Sequence, residues 1–179
     1  GNLTAGLFAA EMGLPVERFI AANNANDVVF EYLKTGEYQP RPSVETIANA
    51  MDVGAPSNFA RILDLYSHSH QVISAKIKGY RYSDDEIRET VYRVYQETGY
   101  LCDPHGACGF RALTDDLGTG QVGVFLETAH PAKFMETMNE IVGEGNVILP
   151  GKLAAFMKGE RKSIPMANHY PAFRDFLLF

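Results

Sequence analysis

Gly123-Val124-Phe125-Leu126 leads straight into Glu127-Thr128-Ala129-His130-Pro131, and this passage decides the fold class. The first four residues read as a buried strand. The polar run that ends it, and the stripe Phe134, Met138, Ile141 and Val142 beyond, read as the loop and helix that follow a parallel strand. Working outward, the alternation recurs. Leu3 to Met12 predicts a helix stopped at Gly13, with Pro15 just past it. Arg18 to Ala22 predicts a short strand. Asn23-Asn24-Ala25-Asn26-Asp27 is a turn in which Asn26 or Asp27 caps a helix carrying Val28, Val29, Tyr32 and Leu33, ending at Gly36. Residues 36–42 read as loop, and 46–53 suit strand or helix equally. Pro56-Ser57-Asn58 opens a helix with Phe59, Ile62, Leu63 and Tyr66 on one face. Ser83-Asp84-Asp85-Glu86 is a capping box whose helix ends at Gly99. Asp103 to Asp116 predicts another helix, and Leu153 to Met157 and Phe173 to Leu177 two short packing helices. The expected fold is α/β, a mostly parallel sheet flanked by helices in three layers, as a single domain over 1–179.

Composition bounds the function. The 179 residues are 46 % hydrophobic and 21 % charged, ordinary for a globular chain and unlike a disordered one. A net charge of −6 argues against nucleic acid or an anionic membrane surface as partner. Two cysteines do not make a disulfide scaffold, so a reducing cytoplasm is expected. No apolar run reaches membrane-spanning length. The sequence opens on Gly1, which fits a processed protein or a cloned piece of a longer one.

Ligands of parallel α/β sheets bind where strands run into helices. Three such junctions carry suitable chemistry. Gly1-Asn2 offers free amides at a helix start, suited to a phosphate. Residues 51–58, with Asp52, Ser57 and Asn58, form a polar loop entering a helix. Thr128 and His130 follow the strand at 123–126, a hydroxyl and a possible acid or base. Cys102, Asp103, His105 and Cys108 lack zinc spacing, so no metal is expected. His68 and His70 read as solvated, and the tyrosines as packing groups.

Five passages in order resemble the C-terminal part of the threonine synthases. They are Gly1 to Gly6, Ala22 to Asp27, Asn49 to Gly54 with Pro56 to Phe59, Asp103 to Ala107, and Glu127 to Phe134. The resemblance covers nearly the whole chain. It implies part of the large domain of a pyridoxal-phosphate enzyme of the tryptophan-synthase-β-like class. Such enzymes turn O-phosphohomoserine and water into threonine and phosphate. Gly1 and Asn2 match the end of the loop whose amides hold the cofactor phosphate, and Thr128 the hydroxyl that meets the pyridine nitrogen. Asp52, Ser57, Asn58, Asp103 and His105 match segments that border the cleft.

The resemblance also implies that the lysine bonding the cofactor lies ahead of this sequence, so the chain alone is expected to be inactive and to hold no pyridoxal phosphate. Apolar surface left open around the first helix and the strand ends at Ala22 and Thr128 points to a homodimer. Two other readings are a stand-alone ligand-binding or regulatory module on the same scaffold, and a serine or threonine dehydratase.

Overall fold

The computed structural model describes residues 1–160 and 162–178. Residues 1–148 form one unit and 149–179 a second, smaller one. The first unit runs Asn2–Glu11 (α1), Phe19–Asn23 (β1), Val28–Thr35 (α2), Phe59–Leu65 (α3), His70–Lys76 (α4), Ile77–Arg81 (β2), Asp84–Thr98 (α5), Pro104–Asp116 (α6) and Met135–Val142 (α7). Single turns of 3-10 helix stand at Asn49–Met51 and Pro131–Phe134.

β1 and β2 pair in parallel, from Phe19 opposite Ile77 to Asn23 opposite Arg81. Side chains on a strand alternate faces, so Phe19, Ala21, Ile77 and Gly79 share one. That face carries the main core: Leu7 of α1, Tyr32 of α2, Phe59, Ile62 and Tyr66 of α3 and its end, and Ile73 of α4. Tyr32 meets Phe59 edge to face at 4.7 Å. The close fit is visible at Gly79, where a Cβ would lie 3.1 Å from Leu33 of α2. Lys78 and Tyr80 point the other way and bind Asp116 at the end of α6, at 2.6 and 2.9 Å. The sheet is therefore sandwiched between helices, as expected for three α/β layers.

The capping box forms with both of its bonds, Ser83 Oγ to the Glu86 amide and the Glu86 carboxylate to the Ser83 amide. α2 and α5 stop at Gly36 and Gly99, whose φ of 82° and 72° suit glycine. Asp27 precedes α2 but does not cap it. Its carboxylate, 5 % exposed, pairs with Arg41 and Arg81 instead.

Three expectations need correction. The strand at 123–126 is not buried and pairs with no other strand among the described residues. Val124 is 81 % and Leu126 58 % exposed. The segment is extended, and only its odd-numbered residues face protein. Gly123 sits on Leu113, Phe125 on Gly109 and Phe110, and Glu127 on Gly106, so the segment runs back along one face of α6. His70 is not a solvated histidine. It begins α4, stands edge-on to Tyr32 at 5.3 Å and bonds the Leu33 carbonyl through Nε2 at 3.0 Å. In the second unit, Gly151–Met157 (α8) and Tyr170–Leu178 (α9) are helices as expected, but neither buries a side chain.

Candidate functional site

The turn after β1 organises the first part of the site. Asn24, fully buried, donates to Thr46 Oγ1 and Asp52 Oδ1, both at 2.8 Å, and to the Ala48 carbonyl at 3.2 Å. Asn26 donates to Asp52 Oδ1 at 2.9 Å and to the Val44 carbonyl at 2.8 Å, and its Oδ1 accepts from the Val44 amide at 2.7 Å. Thr46 gives its amide to Asp52 Oδ2 at 2.9 Å and its hydroxyl to Oδ1 at 2.7 Å. Buried polar atoms must find partners, and here they find them only when the loop from Val44 to Asp52 closes on the turn. Asp52 is thus the acceptor at the centre of a clasp. The Arg41 amide closes the loop's base on the Gly54 carbonyl at 2.9 Å.

α6 supplies the second part. Pro104 at its start fixes the first helical φ, and Asp103 caps it by accepting the His105 amide at 2.8 Å. Asp103 is fully buried, and its Oδ1 also bonds His105 Nδ1. His105 Nε2 accepts the Ala50 amide at 3.0 Å, which ties the clasp loop to α6. An acceptor nitrogen bears no hydrogen, so the neutral ring carries its hydrogen on Nδ1. Phe134 covers the ring at 4.9 Å between centroids.

The extended segment supplies the third. Glu127 Oε1 accepts the Asp103 amide at 2.8 Å. Burial, and then the neighbouring Asp103, push the Glu127 carboxyl up to about 7. Burial also works to raise Asp103, but bonds from His105 and Glu127 outweigh it and hold Asp103 below the usual range. Thr128 follows with its side chain exposed. His130 is a cap: its Nδ1 accepts the Ala132 amide at 3.1 Å.

These bonds join Asp52, Asp103, His105 and the residue before Thr128 into one continuous structure. Ser57 is exposed, and Asn58 accepts from Arg61 at 3.0 Å, so neither joins it. Gly1 and Asn2 lie exposed at the start of α1. The first α1 amide bonded within the helix is that of Ala5, to the Gly1 carbonyl at 2.9 Å, which leaves the amides before it free. Both thiols are buried, and burial pushes each up to about 12, which removes them as nucleophiles. Glu127 was not foreseen as part of the site. The signal for it was the period-2 spacing, which turns Glu127 inward wherever it turns Thr128 outward.

Residues 1–126 match the family described as pyridoxal-phosphate dependent enzyme, and residues 106–177 that described as threonine synthase, C-terminal. The threonine synthase of Escherichia coli (strain K12) is 44 % identical over 169 residues, 94 % of this chain and 38 % of that protein. That of Haemophilus influenzae is 42 % identical over 178 residues, 99 % of this chain and 41 % of that protein. The crystal structure of the Escherichia coli threonine synthase superposes with a TM-score of 0.84 at 38 % identity, covering 98 % of this chain and 40 % of that one. A PLP-bound threonine synthase from Brucella melitensis superposes with a TM-score of 0.81 at 26 % identity, covering 98 % of this chain and 43 % of that one. The chain spans about two fifths of the length of these relatives.

Proposed function

This chain belongs to the pyridoxal-phosphate dependent enzyme family, and we propose that it is the C-terminal part of a threonine synthase that makes threonine and phosphate from O-phosphohomoserine and water. The observation that carries the reading is the joining of the clasp loop, the start of α6 and the Glu127-Thr128 passage at one place. These are three of the five passages on which the resemblance rests.

The donor set suits pyridoxal phosphate. Free amides and the positive end of α1 at Gly1 and Asn2 fit a phosphate dianion, and a Cβ built on Gly1 meets nothing within 4 Å. The exposed Thr128 hydroxyl fits a pyridine nitrogen and, unlike a carboxylate, does not force that nitrogen to hold a proton. When bound, the cofactor supplies an electron sink for carbanion chemistry on an amino acid. The protein's share is to hold and orient. α1 would hold the phosphate, Thr128 would orient the ring, and the clasp loop around Asp52 would border the substrate, whereas Ser57 and Asn58 stand apart from it. His105 has both ring nitrogens engaged, Nδ1 with Asp103 and Nε2 with the Ala50 amide, and is covered by Phe134, so it offers no proton to the substrate.

The lysine that bonds the cofactor lies outside residues 1–179 in this reading. Lys76 and Lys78 are paired with Glu11 and Asp116, and the bond to Asp116 raises Lys78 further above neutrality. A lysine held as its ammonium ion is a poor nucleophile. Lys34, Lys133, Lys152, Lys158 and Lys162 are exposed. The purified chain with added pyridoxal phosphate is therefore expected to release no phosphate from O-phosphohomoserine, whereas the polypeptide encoded by the whole gene releases it. Release by the chain alone would refute the placement of the lysine. Ammonia from serine or threonine, without phosphate release, would assign the whole protein to the dehydratases instead. Cell fractionation checks the accompanying expectation of a cytoplasmic protein.

Thr128→Val keeps shape and removes one hydrogen bond. In the whole enzyme it is expected to cost about 1–3 kcal/mol in kcat/KM. Because Thr128 is exposed and makes no hydrogen bond among the described residues, the melting temperature should stay where it is. Turnover unchanged beside a lowered melting temperature would make Thr128 structural.

A further inference from the structure

Three buried side-chain oxygens have no hydrogen-bond partner among the described residues, Asp103 Oδ2, Glu127 Oε2 and Asn139 Oδ1, and the first two belong to carboxyl groups that touch. The other oxygen of each is taken. Asp103 Oδ1 accepts the His105 amide and Nδ1, and Glu127 Oε1 accepts the Asp103 amide. Two carboxylates this close and this buried cannot both be charged. No lysine or arginine pairs with Glu127 among the described residues. The titratable groups facing it are Asp103 and His105 of α6 and its cap, and Tyr100 and Cys102 of the stretch before them. None of these brings a compensating positive charge while His105 is neutral. The clasp loop meets the cluster through the Ala50 amide, and the turn before α7 through the Phe134 ring.

We propose that Glu127 and Asp103 share a single proton, held between Oε2 and Oδ2, and that through this pair Glu127 is the positioning residue for the Thr128 hydroxyl. One proton on Glu127 Oε2, donated to Asp103 Oδ2, satisfies both orphaned atoms at once. Asp103 keeps the negative charge because it alone caps α6 and accepts the His105 ring hydrogen. The line of bonds then runs from Glu127 to Asp103, to His105 Nδ1–H, and from Nε2 to the Ala50 amide. α6 is shaped for this pair. A Cβ on Gly106 would lie 1.8 Å from Glu127 Oε2, so only glycine leaves room for the carboxyl. Glu127 turned into α6 obliges Thr128 to turn out of it.

The proton pair stands on the bonds alone. Only the purpose of positioning Thr128 rests on the function proposed above. The sign of the pH effect follows. A carboxyl raised in the folded state contributes its full stabilisation below the ordinary carboxylate range and loses it as pH rises through about 7. Above that, two facing charges loosen Glu127, and Thr128 with it.

The test is an NMR titration of the full chain carrying 13C-carboxyl glutamate and 15N-labelled histidine and backbone. One glutamate carboxyl should titrate near pH 7, and the Thr128 amide should shift with the same midpoint. Below that midpoint His105 should show its hydrogen on Nδ1. In Glu127→Gln, whose amide can donate to Asp103 and accept from its amide, the Nδ1 signature should persist and the Thr128 shift should become flat. Gly106→Ala pushes the carboxyl out, so the neutral titration should vanish. The unsubstituted chain already decides the matter. All glutamates titrating in the ordinary range, or His105 carrying its hydrogen on Nε2, would overturn the proton pair. A Thr128 amide indifferent to the Glu127 midpoint would overturn the positioning role. None of these readouts depends on turnover, so a failed assay for threonine formation leaves the proton pair standing or falling on its own titration.

Discussion

Asp52→Ala is expected to lower the free energy of unfolding by about 3 kcal/mol or more. The carboxylate accepts four donors, from Asn24, Asn26 and twice from Thr46; the two asparagines keep the Ala48 and Val44 carbonyls as acceptors, so the buried donors that lose their partner are the amide and hydroxyl of Thr46. Each buried donor left without a partner costs about 1–3 kcal/mol, and water entering at the half-buried Asp52 recovers part of that. Asp52→Asn keeps one acceptor oxygen and should fall between. Urea denaturation of the two variants beside the unchanged chain measures the order. An alanine variant with an unmoved midpoint and reduced turnover in the whole enzyme would mean that Asp52 serves the substrate and not the loop.

Gly54→Ala should be comparably damaging for a different reason. The new methyl group would lie 1.8 Å from the Arg41 carbonyl oxygen, a backbone atom that cannot swing aside. Relief requires the base of the clasp to open, at a cost of about 2–3 kcal/mol, the upper part of the range for overpacking. Gly99→Ala is the control. It meets nothing within 4 Å but occupies a φ of 72°, so it carries only backbone strain, about 1 kcal/mol. Equal midpoints for the two variants would show that the close approach at Gly54 relaxes at no cost.

Elements with local signals were legible in the sequence. The capping box of α5, Asp103 before Pro104, and the glycine stops of α2 and α5 each follow from contacts within one helical turn. The loop from Val44 to Asp52 was not, because its bonds join it to asparagines 18 to 28 residues away. α4 and β2 were missed because nothing separates them. Ile77 ends the helix with φ −123° and ψ 125° and is already the first strand residue, so no turn residue marks the change. The segment at 123–126 misled because an apolar run gives no sign of which face is covered. Its partner in this chain is α6, through Gly106 and Gly109, and its even-numbered face has none among the described residues. Of the site residues, Asp103 and His105 were found through the resemblance, whereas Glu127 needed the knowledge that the segment lies on α6.

The run of this segment along α6 also makes it a counter. Each second residue falls on a fixed place on the helix, and Glu127 is the one tooth that fits a single notch, the gap over Gly106. A residue gained or lost in 118–122 can be absorbed before the first tooth engages at Gly123. The same change between Gly123 and Glu127 cannot, since it would exchange the two faces and send a carboxyl outward and a hydroxyl into the helix. Length is therefore constrained there: Val124 and Leu126 lie exposed in this chain, yet neither could be deleted.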